Sequence, residues 1–473
     1  MRIVIAIVLL IHGLGIATAA HAVMRVRSSR GAIAWALSLS TFPYIAIPLY
    51  WTFGRNKFHG YVEAHRSADS EYQTIIQQLD REIYQWQIDP PRRFASLAKL
   101  TEALDRFPFT CGNSTKLLIN GKETFPAILS AIESATDYIL IQFYIVRDDR
   151  VGQKFKQALI EKANQGVRVY FLYDKIGCYA LPNRYVEELR SRGIKMRAFK
   201  STKGQCNRFQ INFRNHRKIV VIDGKIGFIG GLNIGEEYAS KKPPLSPWRD
   251  THLQIVGPAV QCLQIAFLKD WYWAVRDIPE VCWQVKSTAG KNETALVVPS
   301  GPGDKFSTCT LLFVSLINAA RDRLWITTPY FVPNESILTA LKLAALRGVD
   351  LRILLPDRPD HLLVFLASFS YAAEMINSGV KVYRYRAGFL HEKVLLLDDQ
   401  MAGVGTINLD NRSFQLNFEI MAFILNCGFI TRIEKMLNTD FNNSDLISSS
   451  EMKTKPLWFK LAVRVARLMS PIL

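Results

Sequence analysis

Apolar and polar positions divide the chain into five zones. Residues 3–23 and 31–54 contain no Asp, Glu, Lys or Arg. Each is long enough to cross a bilayer as a helix, which takes about 20 apolar residues. Residues 1–58 therefore read as a transmembrane helical hairpin. Trp35, Tyr44, Tyr50 and Trp51 suit its interfacial levels, and Pro43 and Pro48 are tolerated in a membrane helix, with a kink. His12 and His21 read as packing or interface residues. Ala17-Thr18-Ala19 has the form of a signal-peptide processing site, but Arg2 is the only cation before it and a second apolar stretch follows directly, which favours retention. Arg25, Arg27 and Arg30 lie between the apolar stretches and Arg2, Arg55 and Lys57 outside them, so charge does not orient the hairpin.

Residues 59–116 predict a helical linker: 61–106 is polar, and Asp89-Pro90-Pro91 separates two helix-like runs. From residue 117 the pattern alternates. Apolar runs at Tyr138–Val146, Val167–Tyr173 and Lys195–Phe199 predict strands, and amphipathic runs at Gly152–Asn164 and Asn183–Arg190 predict helices. The same order returns at Leu324–Phe331, Ser336–Leu346, Val349–Leu355, Leu362–Asn377 and Lys381–Tyr385. Tyr144, Gly166 and Gly193 in the first series match Tyr330, Gly348 and Gly379 in the second. The fold class is α/β, with a duplicated domain over 117–295 and 296–450. Its two α/β/α halves carry mixed, mostly parallel sheets and are related by a pseudo-two-fold. The last zone, 451–473, interleaves Lys460, Arg464 and Arg467 with Trp458, Phe459, Leu461 and Leu468. It reads as a basic amphipathic helix on an anionic lipid surface.

Composition adds a constraint on partners. Over 473 residues, 49% apolar, the net charge is +18, which points to an anionic partner, either nucleic acid or a membrane surface. The seven cysteines (111, 178, 206, 262, 282, 309 and 427) are scattered, odd in number and without a C-x-x-C pair. That pattern disfavours a disulfide framework or zinc site and fits a reducing compartment. Trp271-Tyr272-Trp273 reads as helix packing.

The candidate chemistry is written twice, as NHRKIVVIDGKIGFIGGLN at 215–233 and LHEKVLLLDDQMAGVGTIN at 390–408. Each copy has His-x-Lys, then Asp after four residues: His216, Lys218, Asp223 and His391, Lys393, Asp398. Asn233 and Asn408 follow their histidines at equal distance, behind Gly230-Gly231 and Gly405-Thr406. The β-branched or leucine-rich run after each Lys predicts a buried strand, with His and Lys on one face. Asp223-Gly224 is a hairpin signal, so both aspartates read as strand-end residues rather than as catalysts, although the motif places them in the candidate set. An ordinary strand running into a turn accounts for one such stretch, but not for two with matched spacing.

The paired H-x-K-x4-D motifs, with FRNHRKIVVIDG, PWRDTHLQIVGPAV, TPYFVPNE and NLDNRSFQLNFE around them, resemble the bacterial cardiolipin synthases of the phospholipase D superfamily. The resemblance runs nearly end to end. It implies a phospholipase D-like fold, a bacterial inner-membrane location with the catalytic body on the cytoplasmic side, and transfer between two phosphatidylglycerol molecules giving cardiolipin and glycerol. It makes His216 the nucleophile and His391 the acid/base. It also assigns a carboxylate downstream of each motif to orient that motif's histidine, matching Asp250 for His216 and Glu419 for His391; Glu236 and Glu237 compete for the first role. The motif residues form the candidate catalytic set.

Phosphodiester exchange suits these residue types. One neutral His attacks phosphorus, the other donates a proton to the departing alkoxide and then activates the incoming alcohol. Lys218, Lys393, Asn233 and Asn408 are donors for the non-bridging oxygens. No metal or other cofactor is expected. Tyr144 and Tyr330 end strands where they either line a cleft or pack in the core, and Arg214, Arg412 and Ser413 either touch head-group phosphate or stay solvated. Two rival classes remain: a hydrolytic phospholipase D using water or a transferase using another alcohol, and a nuclease. The apolar hairpin disfavours the nuclease, so no nucleic acid is expected as partner. Oligomeric state is not legible.

Overall fold

The computed structural model describes residues 1–26, 29–54, 57–68, 70–203, 211–239, 245–284, 292–448 and 451–473; Arg27, Arg55 and Cys206 lie outside the described residues. The first apolar stretch is one helix, α1 (Arg2–Arg25). The second is two, α2 (Ser29–Thr41) and α3 (Pro43–Phe53). Pro43 has no amide to continue α2 and a backbone angle already set for helix, so it opens α3 instead. Among the described residues, α1 is the only helix long and apolar enough to cross a membrane. It packs closely on α2: a Cβ on Gly15 would stand 2.4 Å from the Leu39 carbonyl. His21 is a packing residue, its Nδ1 lying 2.8 Å from the Tyr50 hydroxyl.

A further helix, α4 (His59–Arg66), follows. Just before it, Phe58 is fully buried. Its ring stacks on Phe213 (4.8 Å between centroids) and meets Trp273 (5.0 Å) and Phe418 (6.0 Å) edge-on. The anchor is therefore plugged into the body by an aromatic cluster.

Among the described residues, the body's first half contributes nine strands: β1 (Thr110–Ile119), β2 (Tyr138–Phe143), β3 (Arg168–Asp174), β4 (Lys195–Phe199), β5 (Arg214–Asn215), β6 (Ile219–Ile222), β7 (Ile226–Gly230), β8 (Trp248–Arg249) and β9 (Thr251–Val256). The second contributes β10 (Glu293–Ser300), β11 (Arg323–Thr327), β12 (Phe331–Val332), β13 (Asp350–Pro356), β14 (Lys381–Tyr385), β15 (Phe389–Leu390), β16 (Val394–Leu397), β17 (Met401–Gly405), β18 (Leu409–Asp410), β19 (Asn417–Leu425) and β20 (Ser444–Leu446). The main path runs β4-β3-β2-β6-β7-β9-β1, crosses to β10, and continues β19-β17-β16-β11-β13-β14-β20. The second half thus mirrors the first, and the two sheets join edge to edge through the antiparallel β1–β10 pair. The body begins at Thr110, earlier than the expected residue 117.

The expectation of mostly parallel sheets needs correction. Parallel pairing on this path is confined to β2-β3-β4 and β11-β13-β14, where helices make the crossovers. The motif strands are hairpins (β6–β7 and β16–β17), and tight turns force antiparallel neighbours. The glycine landmarks also have a cause. Gly166, Gly193, Gly348 and Gly379 have φ of 87°, 82°, 89° and 88°. Each lies just past a helix end, in the left-handed conformation that glycine adopts without strain.

Helices cover both faces. Arg150–Asn164 and Asn183–Ser191 pack on the first half, and Glu335–Leu346 and Leu362–Ile376 on the second. Ala259–Val275 and Cys427–Asn442 share the central core. Trp271 and Trp273 are buried there, so the aromatic run is packing.

Candidate active site

Each motif histidine is held by the backbone of the opposite half. β5 runs parallel to the start of β19, pairing Asn215 with Phe418, and the His216 amide donates to the Phe418 carbonyl at 2.9 Å. β15 runs parallel to β8, pairing Leu390 with Arg249, and the His391 amide donates to the Arg249 carbonyl at 2.8 Å. In both cases the acceptor immediately precedes a fully buried carboxylate, Glu419 or Asp250.

The side chains follow the same crossing, which overturns the expectation that each carboxylate serves the histidine of its own motif. His216 Nδ1 lies 2.9 Å from Glu419 Oε2, and His391 Nδ1 lies 2.7 Å from Asp250 Oδ2. An ionised carboxylate only accepts, so Nδ1 carries the proton and Nε2 presents its lone pair. Both carboxylates are anchored in their own half. Glu419 accepts from Thr406 Oγ1 (2.5 Å), Ser413 Oγ (2.9 Å) and Asn417 Nδ2 (3.1 Å). Asp250 accepts from the Thr251 amide (2.8 Å) and Trp248 Nε1 (3.4 Å). Gly231 is glycine because a Cβ there would stand 2.0 Å from Asp250 Oδ1. At the matching position, Thr406 uses its hydroxyl to bind Glu419 instead. Glu236 and Glu237 do not compete: Glu237 pairs with Arg147 at 3.0 Å and Glu236 lies 3.7 Å from Arg150.

The other candidates divide. Lys218 and Lys393 are buried, and each donates to the carbonyl of its own motif histidine. Tyr144 borders the site, its ring edge-on to His216 at 5.0 Å and 5.4 Å from Lys218 Nζ. Tyr330 is half-buried and bonds Asp360. Arg412 binds the Asn212 carbonyl at 2.8 Å, while Ser413 buttresses Glu419. Asn233 is engaged at both ends, accepting from the Ile145 amide (3.1 Å) and donating to the Tyr238 hydroxyl (3.2 Å). The buried side-chain oxygen of Asn408 has no hydrogen-bond partner among the described residues.

Asp223 and Asp398 leave the catalytic set. Asp223 accepts from the amides of Thr136, Asp137 and Tyr138, each at 2.9 Å, and so fixes the start of β2. Asp398 does the same for β11, accepting from Asp322 (2.9 Å) and Arg323 (2.7 Å). Both have positive φ, at 50° and 48°, as their turns require. Their place in the motif is architectural: they tie each motif hairpin to the first parallel strand. Trp248, whose ring lies 5.0 Å from His391, is a site residue that the spacing arguments passed over, although it opens the WRD phrase.

The description "Cardiolipin synthase, PLD-like domain" matches residues 128–242 and 313–441. The chain is also 49% identical over 468 residues to cardiolipin synthase A of Pseudomonas aeruginosa, across 97% of this chain and 94% of that one. The chain belongs to the cardiolipin synthase family. Cardiolipin synthase A of Pseudomonas fluorescens is 46% identical over 470 residues, covering 99% of this chain and 98% of its own. Among solved structures, phosphatidylserine synthase of Haemophilus influenzae superposes with a TM-score of 0.61 at 15% identity, over 79% of this chain and all but 1% of its own, a likeness of fold. The resemblance read from the motifs is borne out: this is a phospholipase D-superfamily transferase of phospholipid biosynthesis, a membrane enzyme.

The electrostatics of the site favour neutral resting histidines. Burial pushes His216 below its ordinary value and Lys218 lowers it further, against the opposing pull of Glu419. Burial, then Lys393, brings His391 down to about 4, against Asp250. Burial also lowers Lys218 to about 7 and Lys393 to about 8. Glu419 and Asp250 go the other way: burial raises them, but the neighbouring His and Lys charges prevail and hold both below the ordinary carboxylate range. An arriving phosphodiester anion favours the charged form of every cation here, raising all four together.

Two outcomes test this site. Asp250→Asn and Glu419→Gln keep the shape but not the charge that sets the tautomer, and each is expected to lower turnover by about 10²–10⁴-fold; near-normal turnover in either would refute the crossed assignment. The second concerns pH. Folded His391 resists a proton that the unfolded chain accepts, so its contribution to stability is constant above about 6.5 and is lost as pH falls from there toward about 4. In denaturant titrations at pH 7 and pH 5, His391→Gln is expected to lose less stability than the parent on acidification. Equal losses would show that His391 carries no such shift.

Proposed function

We propose that the chain condenses two phosphatidylglycerol molecules into cardiolipin and glycerol through a phosphohistidine intermediate. The observation that carries this reading is the pair of crossed dyads, each leaving an Nε2 unprotonated in a motif that also buries a lysine. His216 Nε2 attacks phosphorus of the donor, and the bond from phosphorus to the head-group glycerol breaks. His391, protonated as substrate arrives, gives that proton to the departing alkoxide. It then takes the proton of a glycerol hydroxyl on the second phosphatidylglycerol, whose oxygen attacks phosphorus and breaks the phosphorus–nitrogen bond. Atoms balance without water, a nucleotide or a redox partner. Lys218 and Lys393 neutralise the equatorial oxygens, regaining full charge as the anion binds.

The reading extends to location: the multi-pass hairpin sits in the bacterial inner membrane with the body on the cytoplasmic side. The hairpin packing of α1 against α2 and α3 supports two crossings, and the successive zones serve as anchor, linker, two catalytic halves and surface helix, with the linker ending before β1 at Thr110 and the second half opening with β10 at Glu293. The C-terminal helix Leu457–Leu468 supports the last of these. It buries Val463 and Ala466 while leaving Trp458 70% and Leu468 79% exposed, with Leu457, Leu461 and Val465 also exposed. The chain end beyond it is tied to the site, since the Leu473 carbonyl accepts from the Arg412 amide (3.2 Å) and the Ser470 carbonyl from Asn411 Nδ2 (2.9 Å). Truncation would therefore disturb the catalytic loop, and surface substitutions are the cleaner probe.

Mass spectrometry after feeding the purified protein phosphatidylglycerol alone tests the reaction. Cardiolipin and free glycerol are expected, lost in His216→Gln and in His391→Gln, with the quenched adduct on the His216 peptide. Phosphatidic acid without cardiolipin would make water the acceptor, and an adduct on His391 would exchange the two roles. Trp458→Ser with Leu461→Ser and Leu468→Ser is expected to weaken use of vesicle-borne substrate but not of detergent-dispersed substrate. Equal effects on both would remove the helix from the membrane surface.

A further inference from the structure

Between α4 and the body lies a cavity of about 600 Å³, within the size range of ligand sites. It is not the catalytic cleft. Its floor includes Arg217 and Phe418, which sit beside His216 and Glu419 in sequence. Phe418 alternates with Glu419 along β19, which sends its side chain away from the face carrying the dyad, and Arg217 Nη1 reaches Asp270 at 2.8 Å behind the site. The cavity thus backs onto the strand pair that holds His216.

Its lining has two characters. Tyr61, Val62, Leu104, Phe107, Phe306 and Phe418 form an apolar wall. The lining also brings in five cations, Arg66, Arg106, Arg217, Lys269 and Lys305, against two carboxylates, Asp105 and Asp304. Asp304 is already paired with Arg106 at 2.7 Å, and Arg217 with Asp270. An apolar wall with surplus positive charge suits an amphiphile bearing a phosphate. Position narrows the source. One wall is α4, which begins six residues after α3 ends the apolar hairpin, so the cavity lies where the anchor meets the body.

We infer that this cavity binds an anionic phospholipid drawn from the bilayer that holds the anchor, as a non-reacting ligand separate from the catalytic cleft. The phosphate lies among Lys269, Lys305 and Arg66, and the first part of an acyl chain lies along Phe306, Tyr61 and Phe418. Occupancy braces Phe418 and Arg217, and through them the strand pair β5–β19. The inference rests on membrane anchoring, not on the identity of the catalysed reaction.

The test uses the full chain carrying His216→Gln, so that turnover plays no part. The protein is placed in phosphatidylcholine nanodiscs containing phosphatidic acid with a photoactivatable acyl chain. Cross-links are expected on peptides covering 59–66 and 299–306. Lys269→Gln with Lys305→Gln is expected to reduce them by about tenfold, in line with two lost charge-assisted contacts at a partly exposed rim. Val62→Trp, which fills the cavity and leaves the cations in place, is expected to reduce them as well. Photoactivatable phosphatidylcholine is expected to label these peptides only at background. Equal labelling by both lipids, or labelling unchanged by either variant, would overturn the inference. Displacement by millimolar glycerol phosphate would also overturn it, by assigning the cavity to a soluble phosphate ester.

Discussion

The active site depends on a reciprocal exchange between the halves. Each half builds a buried carboxylate and surrounds it with donors, and each sends a histidine into the other's carboxylate. Neither half holds a complete dyad. The backbone enforces this before the side chains do, because β5–β19 and β15–β8 are parallel pairs made across the pseudo-two-fold. Charge-assisted hydrogen bonds in a buried setting are strong when complete and costly when one partner is missing. The site and the junction between the halves are consequently one structural unit.

Behind the dyads, the residue between His and Lys differs in charge. It is Arg217 in the first motif and Glu392 in the second, both buried. Arg217 is answered by Asp270, which also accepts from Asn215 and Gln142, each at 2.8 Å. Glu392 is answered by Arg249 at 3.1 Å, which is itself held by Asp440 at 2.6 Å. Burial raises Glu392 to about 7 despite Arg249, with Asp440 adding to the rise. Duplication kept the backbone geometry while the charge beneath each histidine changed sign with its partners. The two halves are alike in the cleft and unlike behind it.

The anchor contributes to the same centre. Phe58, the last residue before α4, stacks on Phe213 and meets Phe418 edge-on, and these two lie close in sequence to His216 and Glu419. Aromatic packing of this kind adds to the area it buries. The catalytic strand pair is braced by the segment that leaves the hairpin, so membrane attachment and active-site geometry share a core.

Much of this was legible in the residues. Alternating apolar runs located β2, β3, β4, β11, β13 and β14 and the helices between them, because periodicity is local. The glycine landmarks were visible because left-handed helix ends need a specific residue. Duplicated spacing identified His216, Lys218, His391 and Lys393 as a set, and the family resemblance supplied Asp250 and Glu419. The turn signal at Asp223-Gly224 marked Asp223 and Asp398 as strand-end residues, while the shared motif spacing alone kept them among the catalytic candidates, since a strand-end brace and a catalyst keep equally strict positions. Spacing did not reveal that the sheets are mostly antiparallel or that Pro43 splits the second apolar stretch. Tertiary structure alone decided which carboxylate serves which histidine. His216 meets Glu419 across 203 residues and His391 meets Asp250 across 141. Those pairings follow from how two sheets join at β1–β10, and side-chain order along one strand carries no record of the strand that will lie against it.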